Sequence, residues 1–336
     1  MEYPSLDKPK AGATRFNTDS SQLEIYDGNQ WTGVLATSRE LQTGGCRGVL
    51  AGGYTPSTWV NTIDFINISS TGDATNFGDL TAARGDFSGT ISSRTRGCFA
   101  GGYFPSPQVR HNTIDYITIA STGDAADFGD LTRTSNSGAP LSSATRALYG
   151  GGYYPSNNRT NIIDYFTIAS IGNAVDYGDL THETRHAGSC ASPTRGVFAG
   201  GNINPGFTNH IQYVTIASTG NAAEFGDLIT ARQTCYGASN TIRGCFNHGV
   251  SPSYVNTVDY LTIGTLGNSL DFGDLSTNVN HTTAVSSAIR IVMYGGNNKN
   301  EIQYHQIMST GDFVDFGNLT EARGSCSSAS NGHGGL

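Results

Sequence analysis

Residues 96–131 read RGCFAGGYFPSPQVRHNTIDYITIASTGDAADFGDL, and this stretch decides the fold. It opens with an Arg and a short apolar run that closes on Gly-Gly. It continues through TIDYITIA, where branched residues alternate with polar or aromatic ones, the pattern of a half-buried strand. The turn STGD places a Gly where positive φ is needed, and AADFGDL follows with one large aromatic. The same pieces recur down the chain. The opening Arg stands at Arg47, Arg96, Arg146, Arg195, Arg243 and Arg290, with spacings of 49, 50, 49, 48 and 47 residues. The closing piece reads NFGDL, DFGDL, DYGDL, EFGDL, DFGDL and DFGNL.

Between copies, LTAAR leads into small-residue segments such as GDFSGTISS, which supply a fourth strand. No stretch carries a capped 3.6-residue period. Four antiparallel strands in about 50 residues is the signature of a propeller blade. The expected fold is all-β: a six-bladed β-propeller over residues 38–336, preceded by a separate segment, residues 1–37. After the last repeat, Ala322–Ser330 (ARGSCSSAS) forms a further copy of the small-residue strand with no later blade to serve. It is expected to pair beside Arg47–Gly53 and close the ring, removing two sheet edges. Ser38–Cys46 is the competing strand.

The order Gly52-Gly53, Asp64-Phe65, Phe77, Leu80, Arg84 resembles the kelch repeat, with Phe or Tyr in place of the usual Trp. The Arg recurs at Arg232 and Arg323, falls one residue late at Arg185, and is replaced by Val279. The resemblance implies a divergent kelch-like propeller. Residues 11–34 read as a short β-meander, with strands Thr14–Asn17, Leu23–Tyr26 and Gln30–Val34 and turns at Asp19-Ser20-Ser21 and Asp27-Gly28-Asn29. So small a sheet is unstable alone, so Phe16, Leu23, Ile25, Tyr26 and Trp31 are candidate docking residues. The run Gly12, Arg15-Phe16-Asn17-Thr18-Asp19, Leu23-Glu24, Tyr26-Asp27-Gly28 and Trp31 resembles pieces that recur in bacteriophage tail and fibre proteins. The propeller repeats resemble those in structural proteins of marine bacteriophages. Together the two resemblances imply a virion protein with other virion proteins as partners.

Composition narrows the chemistry. The 336 residues include 44 Gly and carry a formal net charge of −8, which argues against nucleic acid or an anionic membrane as an electrostatic partner. Met1–Lys10 has no apolar run, so no signal peptide is expected, and no segment approaches the ~20 apolar residues that span a bilayer. The six cysteines form no CxxC pair. Cys98 and Cys245 occupy equivalent repeat positions, so they read as small buried apolar residues; a Cys235–Cys245 disulfide stays open. The eight His residues fall at unrelated repeat positions, and His182 and His186 lie in a non-helical linker, so no metal site or cofactor is expected. The periodic carboxylates Asp79, Asp130, Asp179, Asp227 and Asp274 read as structural rather than catalytic. Pairs such as Asp124 with Asp127, or Asp176 with Asp179, offer too few oxygens to favour calcium over turn capping.

Strand alternation sorts the loops onto two sides. One side has repetitive small turns. The other has the loops after Gly-Gly, which differ strongly between repeats and hold Trp59, Phe104, Arg110, Tyr154, Arg159, Phe207 and Tyr254 as candidate recognition residues. Tyr54, Tyr103 and Tyr153, in a recurring Tyr-x-Pro-Ser, equally fit a shared packing position. The expected function is a non-enzymatic virion structural protein, a tail or fibre-type appendage recognising a host cell-surface glycan or protein or a neighbouring virion protein. A purely architectural tail, neck or capsid-surface component is the alternative, and a carbohydrate-active enzyme on a propeller is the third reading.

Overall fold

The computed structural model describes residues 9–17, 22–33, 46–86, 89–105, 108–154, 158–296 and 299–336. These residues are all-β, with no helix among them. The chain divides into two units, Met1–Thr43 and Gly44–Leu336. In the first, Thr14–Asn17, Gln22–Tyr26 and Trp31–Gly33 form a three-stranded antiparallel sheet. Its second turn is set by the Asp27 carboxylate, which accepts the Asn29 and Gln30 amides at 2.8 Å each. These bonds hold the Asp27 pKa below its ordinary value. The expected Asp19-Ser20-Ser21 turn lies outside the described residues.

Among its described residues the second unit holds six four- or five-stranded antiparallel sheets in sequence order, with two short two-stranded hairpins besides. In the second sheet, Ile91–Ser92, Arg96–Ala100, Thr113–Thr118 and Ala126–Asp130 lie side by side. The third to sixth sheets repeat this order, beginning with Ala139–Ser142, Gly188–Ala191, Tyr236–Ser239 and Thr283–Ser286; the third gains a short extra strand, Tyr153–Tyr154. The first sheet takes its opening strand from the far end of the chain. Ser327–Ser330 pairs with Gly48–Ala51, as expected from the orphan small-residue copy. The competing Ser38–Cys46 lies outside the described residues apart from Cys46.

Two devices tie every sheet to the next, and a third serves four of the six joints. The opening Arg stacks on an aromatic of its own sheet and donates across to a backbone carbonyl of its neighbour. Arg47 reaches Ile119, Arg96 reaches Ile168, Arg146 reaches Ile216, Arg195 reaches Ile263, Arg243 reaches Ile307 and Arg290 reaches Ile68, at 2.7–3.1 Å. The sixth bond returns to the first sheet, so the linkage is cyclic. The aromatic of the closing piece is buried edge-on against the same stacked ring, as Phe128 is against Tyr116 at 5.9 Å. The Gly after it has φ between +139° and +159° in all six copies. A side chain there would strike the neighbouring turn, at Gly78 the Gly123 carbonyl, which explains the repeated Gly. The turn Asp or Asn caps this contact: Asp124 and Asn173 accept the Asp79 and Asp130 amides at 3.0 Å. Asp and Asn therefore interchange in STGD and STGN, because only the acceptor oxygen is used.

The third device is a buried ion pair. Arg84, Arg133, Arg232 and Arg323 enter from the linker before a sheet and meet Asp115, Asp164, Asp259 and Asp64 inside it, at 2.9–3.2 Å. Arg133 stands two residues ahead of the kelch-like position and still reaches its Asp. Arg185, one residue late, makes no such pair. At the two joints lacking the Arg, Thr184 and Val279 stand in its place and the Asp is Gln. Gln212 and Gln303 instead accept the Thr181 and Ser276 amides at 2.7 and 2.9 Å. Charge is thus lost from both sides of a joint together, which a buried carboxylate requires.

The innermost strands end on Ser92, Ser142, Ala191, Ser239, Ser286 and Ser330. Each serine hydroxyl donates to the preceding member's carbonyl, for example Ser239 to Ala191 and Ser286 to Ser239 at 2.7 Å. Ala191 breaks the series. Residues 331–336 are buried beside this break. His333 Nε2 donates to the Ser92 carbonyl at 2.9 Å and lies 3.4 Å from the Ser142 hydroxyl, while Nδ1 accepts the Gly335 amide. A side chain on Gly334 would strike the Asn240 and Ala191 carbonyls. Burial pulls the His333 pKa down to about 4, consistent with a neutral ring. Cys98, Cys190, Cys235, Cys245 and Cys326 are buried free thiols. Burial pushes Cys98, Cys245 and Cys326 up to about 12.

Two outcomes follow. Arg323→Val leaves Asp64 buried and uncompensated and is expected to cost roughly 3–5 kcal/mol in urea unfolding. Adding Asp64→Gln, the combination found at Val279 and Gln303, should recover most of that loss; no recovery would contradict the joint. His333 is held below its unfolded pKa, so its contribution is complete above about pH 6.5 and falls as the pH drops toward 4. Stability measured from pH 7.5 to 5 should therefore decline more steeply in the parent than in His333→Gln.

Candidate recognition site

The linkers enter the innermost strands through six left-handed residues: Asp86, Ser137, His186, Thr234, His281 and Ser325, with φ between +54° and +59°. They stand at the strand ends opposite the serine series and share a side with the Gly-Gly loops. Backbone bonds of 2.8–2.9 Å run from Ser137 to Asp86, His186 to Ser137, Thr234 to His186 and Ser325 to His281. Just outside this set, the residue after Gly-Gly bridges to the linker backbone, as Tyr103 does to Gly85 and Tyr153 to Asn136. Tyr54, Tyr103 and Tyr153 thus occupy a shared packing position, each half-buried.

Around them the structure gathers several of the candidate residues. Trp59 packs on Tyr54 at 5.3 Å and edge-on to Tyr103 at 6.0 Å, over Gly85, where a side chain would collide with the indole. Arg110 lies over Tyr103 at 5.7 Å and Tyr153 at 4.6 Å, and its Nε donates to Asn136 at 2.9 Å. Arg185 lies over Tyr153 at 4.4 Å. One run of aromatic and guanidinium groups therefore crosses the first three sheets. Asp86, Tyr103, Arg110, Tyr153, Arg185 and His186 line a cavity of about 190 Å3.

The other candidates separate. Arg159 is committed to Asn202, bonding its carbonyl at 3.1 Å and its side chain. With Tyr154, Arg133 and Glu183 it borders an open depression of about 590 Å3. Phe104 and Phe207 are half-buried in short hairpins. Tyr154 and Tyr254 are 43% and 48% exposed. In the N-terminal sheet, Phe16 and Ile25 are 63% and 39% exposed. Tyr26 is buried, 5.4 Å from Trp31, whose other neighbour is Arg15 at 4.3 Å. Tyr26 is thus already covered within this chain, unlike Phe16 and Ile25. The Leu23 side chain lies outside the described residues.

Asp86 and His186 escape sequence reasoning as site residues, because the left-handed linker position has no shared side chain. A signal existed in Arg185, the misplaced kelch-like Arg. Two imidazole pairs form, His182 with His210 and His186 with His281. Among the described residues no group of three or more His, Cys, Asp or Glu is placed to hold a metal. Burial lowers the pKa of His186, His248 and His281. His248, in the fifth sheet's variant of Gly-Gly, bonds the Thr282 hydroxyl. Comparison with protein-family models and with curated proteins finds no match.

Trp59 wedges between two tyrosines, whereas Tyr154 and Tyr254 touch solvent. Trp59→Ala is expected to lower stability by about 2–3 kcal/mol. Tyr154→Ala and Tyr254→Ala should stay within about 0.5 kcal/mol of the parent. Thermal unfolding of the three variants checks this ordering.

Proposed function

We propose that the six sheets are the blades of a kelch-like β-propeller and that the chain is a non-enzymatic structural protein of a bacteriophage virion, a tail or fibre-type appendage. Its variable-loop side recognises a host cell-surface glycan or protein or a neighbouring virion protein. The observation that carries this reading is the run Tyr54, Trp59, Tyr103, Arg110, Tyr153 and Arg185, set on loops of differing sequence over a cyclically linked scaffold. Aromatic and Arg side chains on rigid supports are the residues that dominate recognition energetics. The sequence resemblances of residues 12–31 and of the repeats support the virion assignment. The exposure of Phe16 and Ile25 supports docking through the N-terminal sheet, since apolar side chains of that size gain roughly 1.5–3 kcal/mol each on burial.

A purely architectural role has its own support. Ile242, Leu266, Leu270, Ile289, Met308 and Val314 are all at least half exposed at the turn side of the fifth and sixth sheets, opposite the variable loops. A neighbouring virion protein seated there would make this side an attachment surface.

Docking is tested in the full chain with Phe16→Asp and Ile25→Asp, and by deleting residues 1–37. Both proteins are expected to fold and to be absent from assembled particles. Normal incorporation would overturn docking through this segment. Recognition is tested by binding of the purified full chain to host cells, which should fall several-fold in the Tyr154→Ala, Tyr254→Ala double variant.

A further inference from the structure

The cavity at the strand ends combines groups that the scaffold does not use up. Arg185 Nε is buried without a hydrogen-bond partner. Arg110 spends its Nε on Asn136, and no carboxylate among the described residues pairs with either guanidinium. Both are held in place by the Tyr153 ring. Asp86 lines the same cavity, and its carboxylate accepts from Asn136 and from the Ser137 hydroxyl, the latter at 2.9 Å. One carboxylate oxygen of Asp86 keeps acceptor capacity, since both bonds fall on Oδ2. His186 Nδ1, buried and unpartnered, adds a second acceptor or donor to the lining. Burial keeps that imidazole neutral near pH 7.

The cavity therefore carries two guanidinia and one carboxylate, a net single positive charge. A guanidinium fork matches a carboxylate in two parallel hydrogen bonds. The nearby Asp86 disfavours a dianion such as phosphate, and its free oxygen asks for a hydroxyl donor. A ligand with one carboxylate and several hydroxyls satisfies both kinds of group. The volume, about 190 Å3, admits one sugar ring.

We infer that this cavity binds the carboxylate-bearing sugar of an acidic glycan, with Arg110 and Arg185 on the carboxylate and Asp86 accepting from a ring hydroxyl. This rests on the recognition reading and names its ligand class.

The test is titration of the full chain with glucuronate, glucose and inorganic phosphate, followed by NMR or calorimetry. Glucuronate is expected to bind with a roughly millimolar Kd, the range of a single sugar, and glucose and phosphate at least about tenfold more weakly. Arg185→Ala should weaken glucuronate at least about tenfold. Arg185→Lys, which keeps the charge and loses the fork, should also weaken it, and a folded Lys variant guards against loss of structure in the Ala variant. Equal binding of glucose, tighter binding of phosphate, unchanged affinity in both Arg185 variants, or no glucuronate binding would overturn the assignment. Host-cell binding by the parent chain separates the two claims. Cell binding without glucuronate binding removes the acidic-sugar site and leaves recognition standing. Glucuronate binding lost in the Arg185 variants supports the site whichever way cell binding falls.

Discussion

A carboxylate buried between two sheets must be neutralised where it sits, and the architecture turns on how each joint meets that demand. Four joints bring an arginine from the linker onto the aspartate of the next sheet. Two replace both partners, leaving Gln212 and Gln303 with backbone donors. No described joint keeps the aspartate without a guanidinium. Removing one charge from such a pair is far costlier than removing both, so the exchange had to be concerted. The joints fix how each linker leaves one sheet and enters the next. They thereby set where the six left-handed residues and their side chains stand.

The same residue type serves three ends. Arginines at strand starts stitch neighbouring sheets through backbone carbonyls, linker arginines neutralise aspartates, and Arg110 and Arg185 lie on Tyr153 with donors to spare. The first two groups are consumed by the fold. The third is what the fold holds ready. A scaffold tied in this cyclic way loses little freedom when a ligand arrives, and rigid presentation lowers the cost of binding.

Much of the scaffold was legible in sequence because its devices repeat. The alternation in TIDYITIA marks a strand, the Gly of FGD marks a close approach, and ARGSCSSAS after the last repeat marks the closing strand. The N-terminal strands fell within a residue or two of expectation, and the burial of Tyr26 was not legible in their alternation. The cavity was only partly legible. Arg110 stood out as a charged residue on a variable loop. Asp86 and His186 did not, since left-handed linker residues have no shared side chain and Asp, Ser, His and Thr all occupy the position. The role of residues 331–336 was equally hidden, because no periodicity announces a segment that sets His333 on the serine series.

The central claim is that the variable-loop side is a recognition surface on a particle-borne propeller. Electron cryomicroscopy of the intact particle tests it most directly. The account predicts a six-bladed ring attached through the N-terminal sheet, with Tyr154 and Tyr254 facing solvent. A ring seated on the particle with those residues buried against a virion neighbour would leave no surface for a host, and a fold other than a ring of six blades would contradict the account outright.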